Sequence, residues 1–341
     1  FEDLIFPMFV FISGVSLVFS TDKMMARQGR AKAVLRLARR SVLLILLGIF
    51  YYGGLSGRWP DIRLLGVLQY FGLACFFAGT LYIALRRARA LAAVCAAILL
   101  GYWALMAFVP FPDVRLDKES LAMTVAQVGS SDPAKVLLSA TGKVRGRYEE
   151  GLNLSNYVDY RFLPGKKING AYENQPLLGT FGVVSACLLG MLAGLWLRRG
   201  DVGGPRKVAG LWAAGAVCVA IGLLWSVQFP LIKKLWSPSF VLVAGGASAA
   251  LLGLFYGIVE IWKKQGWCQP FVWIGMNSIT LYLAYNVISF PKVAERLAGG
   301  DLQRCLDTYV GTGAGSVFLV LVELSLAFLL VRFLYVRKIF I

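Results

Sequence analysis

The chain has 341 residues, of which 58% are hydrophobic and 16% charged, and its mean hydropathy is +0.68. A soluble domain carries about 25% charged residues, so this composition excludes one that faces water all round. The formal charge of +17 is not a nucleic-acid signature, because the cations flank apolar runs, where they suit anionic headgroups or a phosphate-bearing cofactor.

Spans of about 20 mostly apolar residues fall near 3–20, 41–57, 64–85, 90–109, 177–197, 208–229, 239–262, 270–290 and 315–335. These runs are too long and continuous for alternating barrel strands. The expected fold is all-α: a polytopic transmembrane helical bundle with nine visible spans and one long extracytoplasmic loop. Organisation follows as helices over 1–109 with a basic connection at 21–40, the loop over 110–176, and helices over 177–341, together one membrane domain.

Orientation comes from Lys and Arg in the connections. Residues 21–40 hold seven, and the connections expected on the same side raise the total to 19, against seven on the other side outside the loop. The C-terminus is therefore expected inside and Phe1 outside. The odd span count sets an expectation of a tenth helix upstream of Phe1. The basic, periodic segment 24–38 is expected as an interfacial helix on the cytoplasmic leaflet. The loop 110–176 is long enough to be functional or disordered, and its aromatic second half is expected to be ordered against the bundle.

Polar residues within spans are costly and are candidates for function. In the 270–290 run, Ser278, Tyr282 and Tyr285 share a helical face, with Asn277 and Asn286 beside it. That ladder fits a polar path through the membrane or, equally, interhelical hydrogen bonding. Asp3 stands at a helix start, where capping is the plain role. Arg63 and Gln69 enter a span at its outer end, and Glu323 lies inside the last one. Gly190 and Gly194 form a GxxxG that reads as a close helix contact. The six cysteines form no CxxC, and there is no histidine, so no metal site is expected. No P-loop, Rossmann fingerprint, GxSxG or HExxH occurs.

Several strings, in order, carry a resemblance: DLIFPMFVFISG from Asp3, IRLLGVLQ from Ile62, NYVDYRFL from Asn156 and YENQPLLGTF from Tyr172. Further on stand LLGMLAG from Leu188, LWSPSF from Leu235, GMNSITLY from Gly275, and the terminal RKIF. The chain resembles the heparan-alpha-glucosaminide N-acetyltransferase family of membrane acyltransferases and its bacterial relatives. That resemblance implies acetyl transfer across a membrane, from cytosolic acetyl-CoA to the amine of a glucosamine-type sugar on the far side. It further implies acetyl-CoA as co-substrate, an amino sugar or glycan as acceptor, a bacterial inner membrane and a homodimer. The family's catalytic histidine falls upstream of Phe1.

Carried over by position, Asp3, Asn277 and Tyr282 are the catalytic candidates within the chain. Arg63, Gln69, Asn156, Asp159, Glu173 and Gln175 are candidates for the sugar, and Arg40, Ser278 and Lys338 for CoA. The chain departs from the family at Glu173-Asn174-Gln175-Pro176, where Asp-Pro-Glu-Gly is usual. Tyr70 replaces an Arg, and Tyr285 stands where the human-type member has His. These departures bear on the acceptor more than on the donor. Two other readings compete, a secondary transporter for an amino sugar and an O-acetyltransferase of envelope polysaccharide.

Overall fold

A chain crossing a bilayer must satisfy its backbone polar groups internally, and the computed structural model is accordingly built from helices. It describes residues 2–140 and 142–339. Phe1, assigned a side by the charge bias, and Phe340 of the RKIF string lie outside the described residues. The chain divides into two compact units, one ending at Ile261 and the other beginning at Trp262, each described here by itself.

The first unit opens with α1 (Glu2–Tyr51), α2 (Val67–Leu85) and α3 (Ala88–Phe108). A small layer follows, with α4 (Lys118–Val128), α5 (Pro133–Leu138) and α6 (Leu154–Phe162). Two short antiparallel ladders accompany it, pairing Phe111–Pro112 with Lys143–Val144 and Tyr148–Glu149 with Leu152–Asn153. Then come α7 (Thr180–Arg198), α8 (Gly204–Trp225) and α9 (Pro238–Tyr256), which ends in one π turn, Gly257–Ile261.

Helix α1 joins two of the expected runs. The runs 3–20 and 41–57 are two arms of one 50-residue helix, interrupted only at Gly29 (φ 82, ψ 171). A left-handed φ of this kind is open to glycine and costly for other residues. The break turns the chain back on itself: Leu17 and Ser20 of one arm line the same recess as Leu37 and Arg40 of the other. A straight helix would hold Leu17 and Arg40 about 34 Å apart. Segment 24–38 thus continues the two arms and is not a separate interfacial helix. Its Met25, Ala33 and Leu37 are buried.

Helix contacts inside lipid gain little from hydrophobicity and rest on close backbone approach at small residues. A Cβ added at Gly14 would run into the Cys187 carbonyl, and one at Gly190 into the Phe11 carbonyl. The GxxxG of α7 therefore does pack directly against α1.

The segment 110–176 is a folded layer rather than a loose loop. Phe111, Leu152 and Leu154 pack with Tyr102 and Met106 of α3 and with Phe229 and Leu235. Val114, Leu116, Val136, Leu137, Tyr160 and Tyr172 form a second core within the layer. Burying a side chain of this size fully contributes about 1.5–3 kcal/mol, which is ample to order so short a stretch.

The second unit holds α10 (Gln269–Met276), α11 (Ser278–Ile288), α12 (Phe290–Ala298), α13 (Asp301–Tyr309) and α14 (Ala314–Val336). The span expected over 270–290 is broken between α10 and α11, which meet at 74°. Asn277, with φ −122 and ψ 23, sits at the break. Its amide nitrogen reaches back to the Trp273 carbonyl at 3.4 Å, the local side-chain-to-backbone competition that disfavours Asn inside helices. Among the described residues, seven helices are long and apolar enough to cross a membrane, or eight if the bent pair is one span, with the two arms of α1 counted as one helix.

Candidate functional site

One end of the first unit is organised by α6. Asn153 caps it, its Oδ1 accepting from the Asn156 N–H at 2.9 Å. The Asn156 Oδ1 accepts from the Gly151 N–H at 3.0 Å and from Asn153 Nδ2 at 2.6 Å. This is a variant of the reciprocal cap in which the third helical residue reaches back. Asn156, a candidate for the sugar, therefore spends its carbonyl oxygen on the loop that positions it.

One turn on, Asp159 is fully buried. Its Oδ2 accepts from the Glu173 N–H at 3.1 Å and its Oδ1 from the Leu177 N–H at 2.8 Å, so it holds both ends of the Glu173–Leu177 turn. Burial pushes its carboxyl up to about 7, although both N–H donors pull the other way. Burial also raises the Glu173 carboxyl, opposed by the Arg63 guanidinium, and lowers the nearby Lys167 ammonium.

Arg63 closes this cluster. Its Nε and Nη2 donate to the two Glu173 oxygens at 2.9 and 2.7 Å, and Nη2 also reaches Gln175 Oε1 at 3.2 Å. The guanidinium lies 4.0 Å over the Tyr52 ring. Planar bidentate pairing of this kind is a property of Arg and not of Lys. Gln69, near the start of α2, is 1% exposed, and neither atom of its amide has a hydrogen-bond partner among the described residues. Next to it, the Tyr70 hydroxyl donates to the Pro176 carbonyl.

Asp3 comes to the same end, where Lys233 Nζ meets its Oδ1 at 2.9 Å, and Lys234 pairs with Glu150 at 2.6 Å. Glu150, Lys234, Asn156, Glu173, Tyr148 and Tyr172 border a recess of about 60 Å³, room for about two waters. The sequence thus indicated Arg63, Asp159, Glu173 and Gln175, which the fold gathers, and missed Tyr148, Glu150, Lys167 and Lys234.

The opposite end of the unit is basic. Between the two arms of α1 lies a recess of about 270 Å³, bordered by Ser20, Lys23, Arg27, Gln28, Arg36 and Arg40. Its four cations have no acidic partner among the described residues. The nearest acid in sequence, Asp22, is committed elsewhere: Tyr82 donates to it at 3.0 Å, Arg86 stands at 3.4 Å and Arg198 pairs with it. Of the recess, only Arg40 was singled out for CoA. Lys23, Arg27 and Arg36 entered only as orientation charges, because the sequence does not show that the two arms enclose a common recess.

Between the two ends, α1 and α2 are close-packed. Ser41 Oγ donates to the Gly72 carbonyl, and Gly48 abuts the Gln69 amide. Arg40 and Gly48 stand about 12 Å apart along α1.

The remaining candidates lie in the second unit. Asn277 is 2% exposed with Oδ1 unpartnered, as are Trp273 Nε1, Thr280 Oγ1 and Glu323 Oε1. Ser278 opens α11 and Tyr282 lies one turn along it, while Tyr285 is half exposed beside Phe290. Lys338 follows α14 and is exposed.

Fold and site together define a polytopic helical integral membrane protein with a basic recess and an acid–amide cluster at opposite ends of one helical unit. No protein-family model matches the chain. The chain is similar to the heparan-alpha-glucosaminide N-acetyltransferase of Homo sapiens, 28% identical over 332 residues, and to that of Mus musculus, 26% identical over 346 residues. Each alignment covers 85% of this chain and 48% of the relative. The chain spans about half the length of the curated relatives it matches.

Proposed function

We propose that this chain is a membrane acetyltransferase that takes acetyl from acetyl-CoA at its basic end and delivers it to the amine of a glucosamine-type sugar at the opposite end. The observation that carries this reading is the pairing of two chemically distinct ends on α1 and α2. Four unpaired cations at one end suit the phosphates of CoA. The other end offers carboxylates and amides, the groups that hold an amino sugar.

Two features there suit an ammonium-bearing acceptor. The Asp3–Lys233 and Glu150–Lys234 pairs are exposed, and exposed pairs are weak, so a sugar ammonium exchanges readily for either lysine. Because the recess has room for only about two waters, acceptor entry requires the Tyr148–Glu149 strand or the Lys234 side chain to move.

An ammonium must lose a proton before it attacks a thioester. Asp3 is proposed to orient the amine for that step. Asn277 and Tyr282 are proposed as donors to the thioester oxygen as charge develops there. In the first unit Arg40 is proposed to hold CoA; Ser278 and Lys338 are the corresponding candidates in the second unit, taken separately. Asp159 faces backbone N–H groups with both oxygens and so orders the turn rather than meeting the amine.

The bend at Asn277 favours a second reading, a secondary transporter for an amino sugar, since discontinuous helices build transporter sites. Proteoliposomes of the full-length protein separate the two. With labelled acetyl-CoA outside and glucosamine inside, the enzyme forms N-acetylated sugar in the lumen. Sugar accumulation without acetyl-CoA, and no acetylated product with it, would overturn the proposal. Mass spectrometry of the product, amide or ester, decides against or for O-acetylation.

A further inference from the structure

A second cavity of the first unit plays no part in the reading above. It measures about 310 Å³ and is an apolar groove bordered by Phe11, Leu189 and Trp196 and, on α8, by Gly210, Ala214 and Cys218. The α8 residues are spaced by four, so they form one row along the helix face. One step earlier in that row is Arg206. It is exposed and has no ion pair or hydrogen bond among the described residues.

The neighbouring cations are already engaged. Arg198 pairs with Asp22, and Arg199 pairs with Asp201 while lying 5.4 Å over the Trp196 ring. Lys207 donates to the Leu197 carbonyl, and its own carbonyl accepts from Trp196 Nε1. Trp196 is thereby fixed as the floor of the groove at its charged end, where a Cβ at Gly210 would touch the indole ring.

We infer that this groove binds the acyl chain of an anionic glycerophospholipid, with the headgroup phosphate on Arg206. Length, volume and charge agree. From Arg206 to Cys218 the row rises about 18 Å, close to one leaflet's half of a hydrocarbon core about 30 Å thick. The groove accommodates roughly ten groups of about 30 Å³ each. The free guanidinium stands at the headgroup level, beside the positive end of the α8 dipole. A zwitterionic headgroup offsets its phosphate with its own ammonium, whereas an anionic one keeps its net charge for Arg206, which is why the occupant is anionic.

The test uses the full-length protein purified in a mild detergent, relipidated with phosphatidylglycerol or with phosphatidylcholine of the same chains, and examined by native mass spectrometry. Wild-type protein retains one phosphatidylglycerol per chain, at least about fivefold more than phosphatidylcholine. Ala214→Phe, at an exposed position that the added ring fills from the groove side, loses both lipids while keeping its unfolding midpoint. Arg206→Gln keeps the chain but retains the two lipids equally. Equal retention of both lipids by wild type overturns the inference. So does undiminished binding by Ala214→Phe, or a groove without lipid because another segment of the protein fills it.

Discussion

The two ends of the first unit carry charge in opposite ways. At the acid–amide end the inner charges are buried and satisfied: Glu173 is fully covered, Arg63 is nearly so, and Asp159 is held by two backbone N–H groups. The Asp3–Lys233 and Glu150–Lys234 pairs stand exposed around them. At the basic end Lys23, Arg27, Arg36 and Arg40 are exposed and face no acid among the described residues. Buried pairs hold structure, and removing one partner strands the other in a medium that cannot solvate it. Exposed cations contribute little to stability and remain available to a ligand. Substitutions should therefore separate stability from affinity by position alone.

Glu173→Ala tests this most severely. It leaves the Arg63 guanidinium largely buried without its carboxylate, and loss of one member of a buried pair costs about 3–5 kcal/mol. A drop in the unfolding midpoint in detergent checks it. A midpoint indistinguishable from wild type would show that the Glu173–Leu177 turn does not depend on the pair. Glu173→Gln, which keeps an acceptor for Arg63, should fall between the two.

Asp159 gives the buried end a pH signature. Its folded carboxyl titrates at about 7, against about 3.9 in an unfolded chain. The folded state therefore holds the proton more tightly over this window, and stability decreases as pH rises from about 4 to about 7. At 1.36 kcal/mol per unit, the loss between about pH 5 and pH 7 reaches roughly 2–3 kcal/mol. Asp159→Asn should flatten that slope in midpoint-versus-pH curves. An equally steep variant would place the proton on another group.

Gly29→Ala probes the geometry that creates the basic end. Nothing lies within 4 Å of an added Cβ, so the penalty is purely conformational, about 1–3 kcal/mol for this glycine-favouring backbone region. Since the two arms meet through this turn, the variant should weaken CoA binding along with stability. A loss of stability with unchanged CoA affinity would detach the recess from the donor.

How much of this was legible in the sequence follows from range. Hydropathy located α2, α3, α7, α8, α9 and α14, because a bilayer imposes composition residue by residue. It separated the two arms of α1 that flank Gly29 but read 270–290 as continuous, because a side-chain-to-backbone contact at Asn277 leaves no trace in averaged hydropathy. Arg63 and Glu173, 110 positions apart, were singled out separately through the family strings, yet their pairing is a product of the fold. The partners of Asp22 and the orphaned Gln69 amide had no local signal at all.

The smallest effect expected is at the open end, and it separates the two ends most clearly. Arg36→Glu and Arg40→Glu should each weaken CoA binding by about tenfold at low ionic strength, with less loss as salt screens exposed charges over about 8–10 Å. Neither should move the unfolding midpoint by more than the ±0.5 kcal/mol typical of surface changes. Calorimetric titration of CoA into the full-length protein in nanodiscs provides both numbers when combined with thermal unfolding. Lys338→Glu is the companion variant in the second unit, and unchanged CoA affinity there would remove Lys338 from the candidates for CoA. If all three variants bind CoA as wild type does, the recess between the arms of α1 serves lipid headgroups instead, and the donor must approach by a different surface.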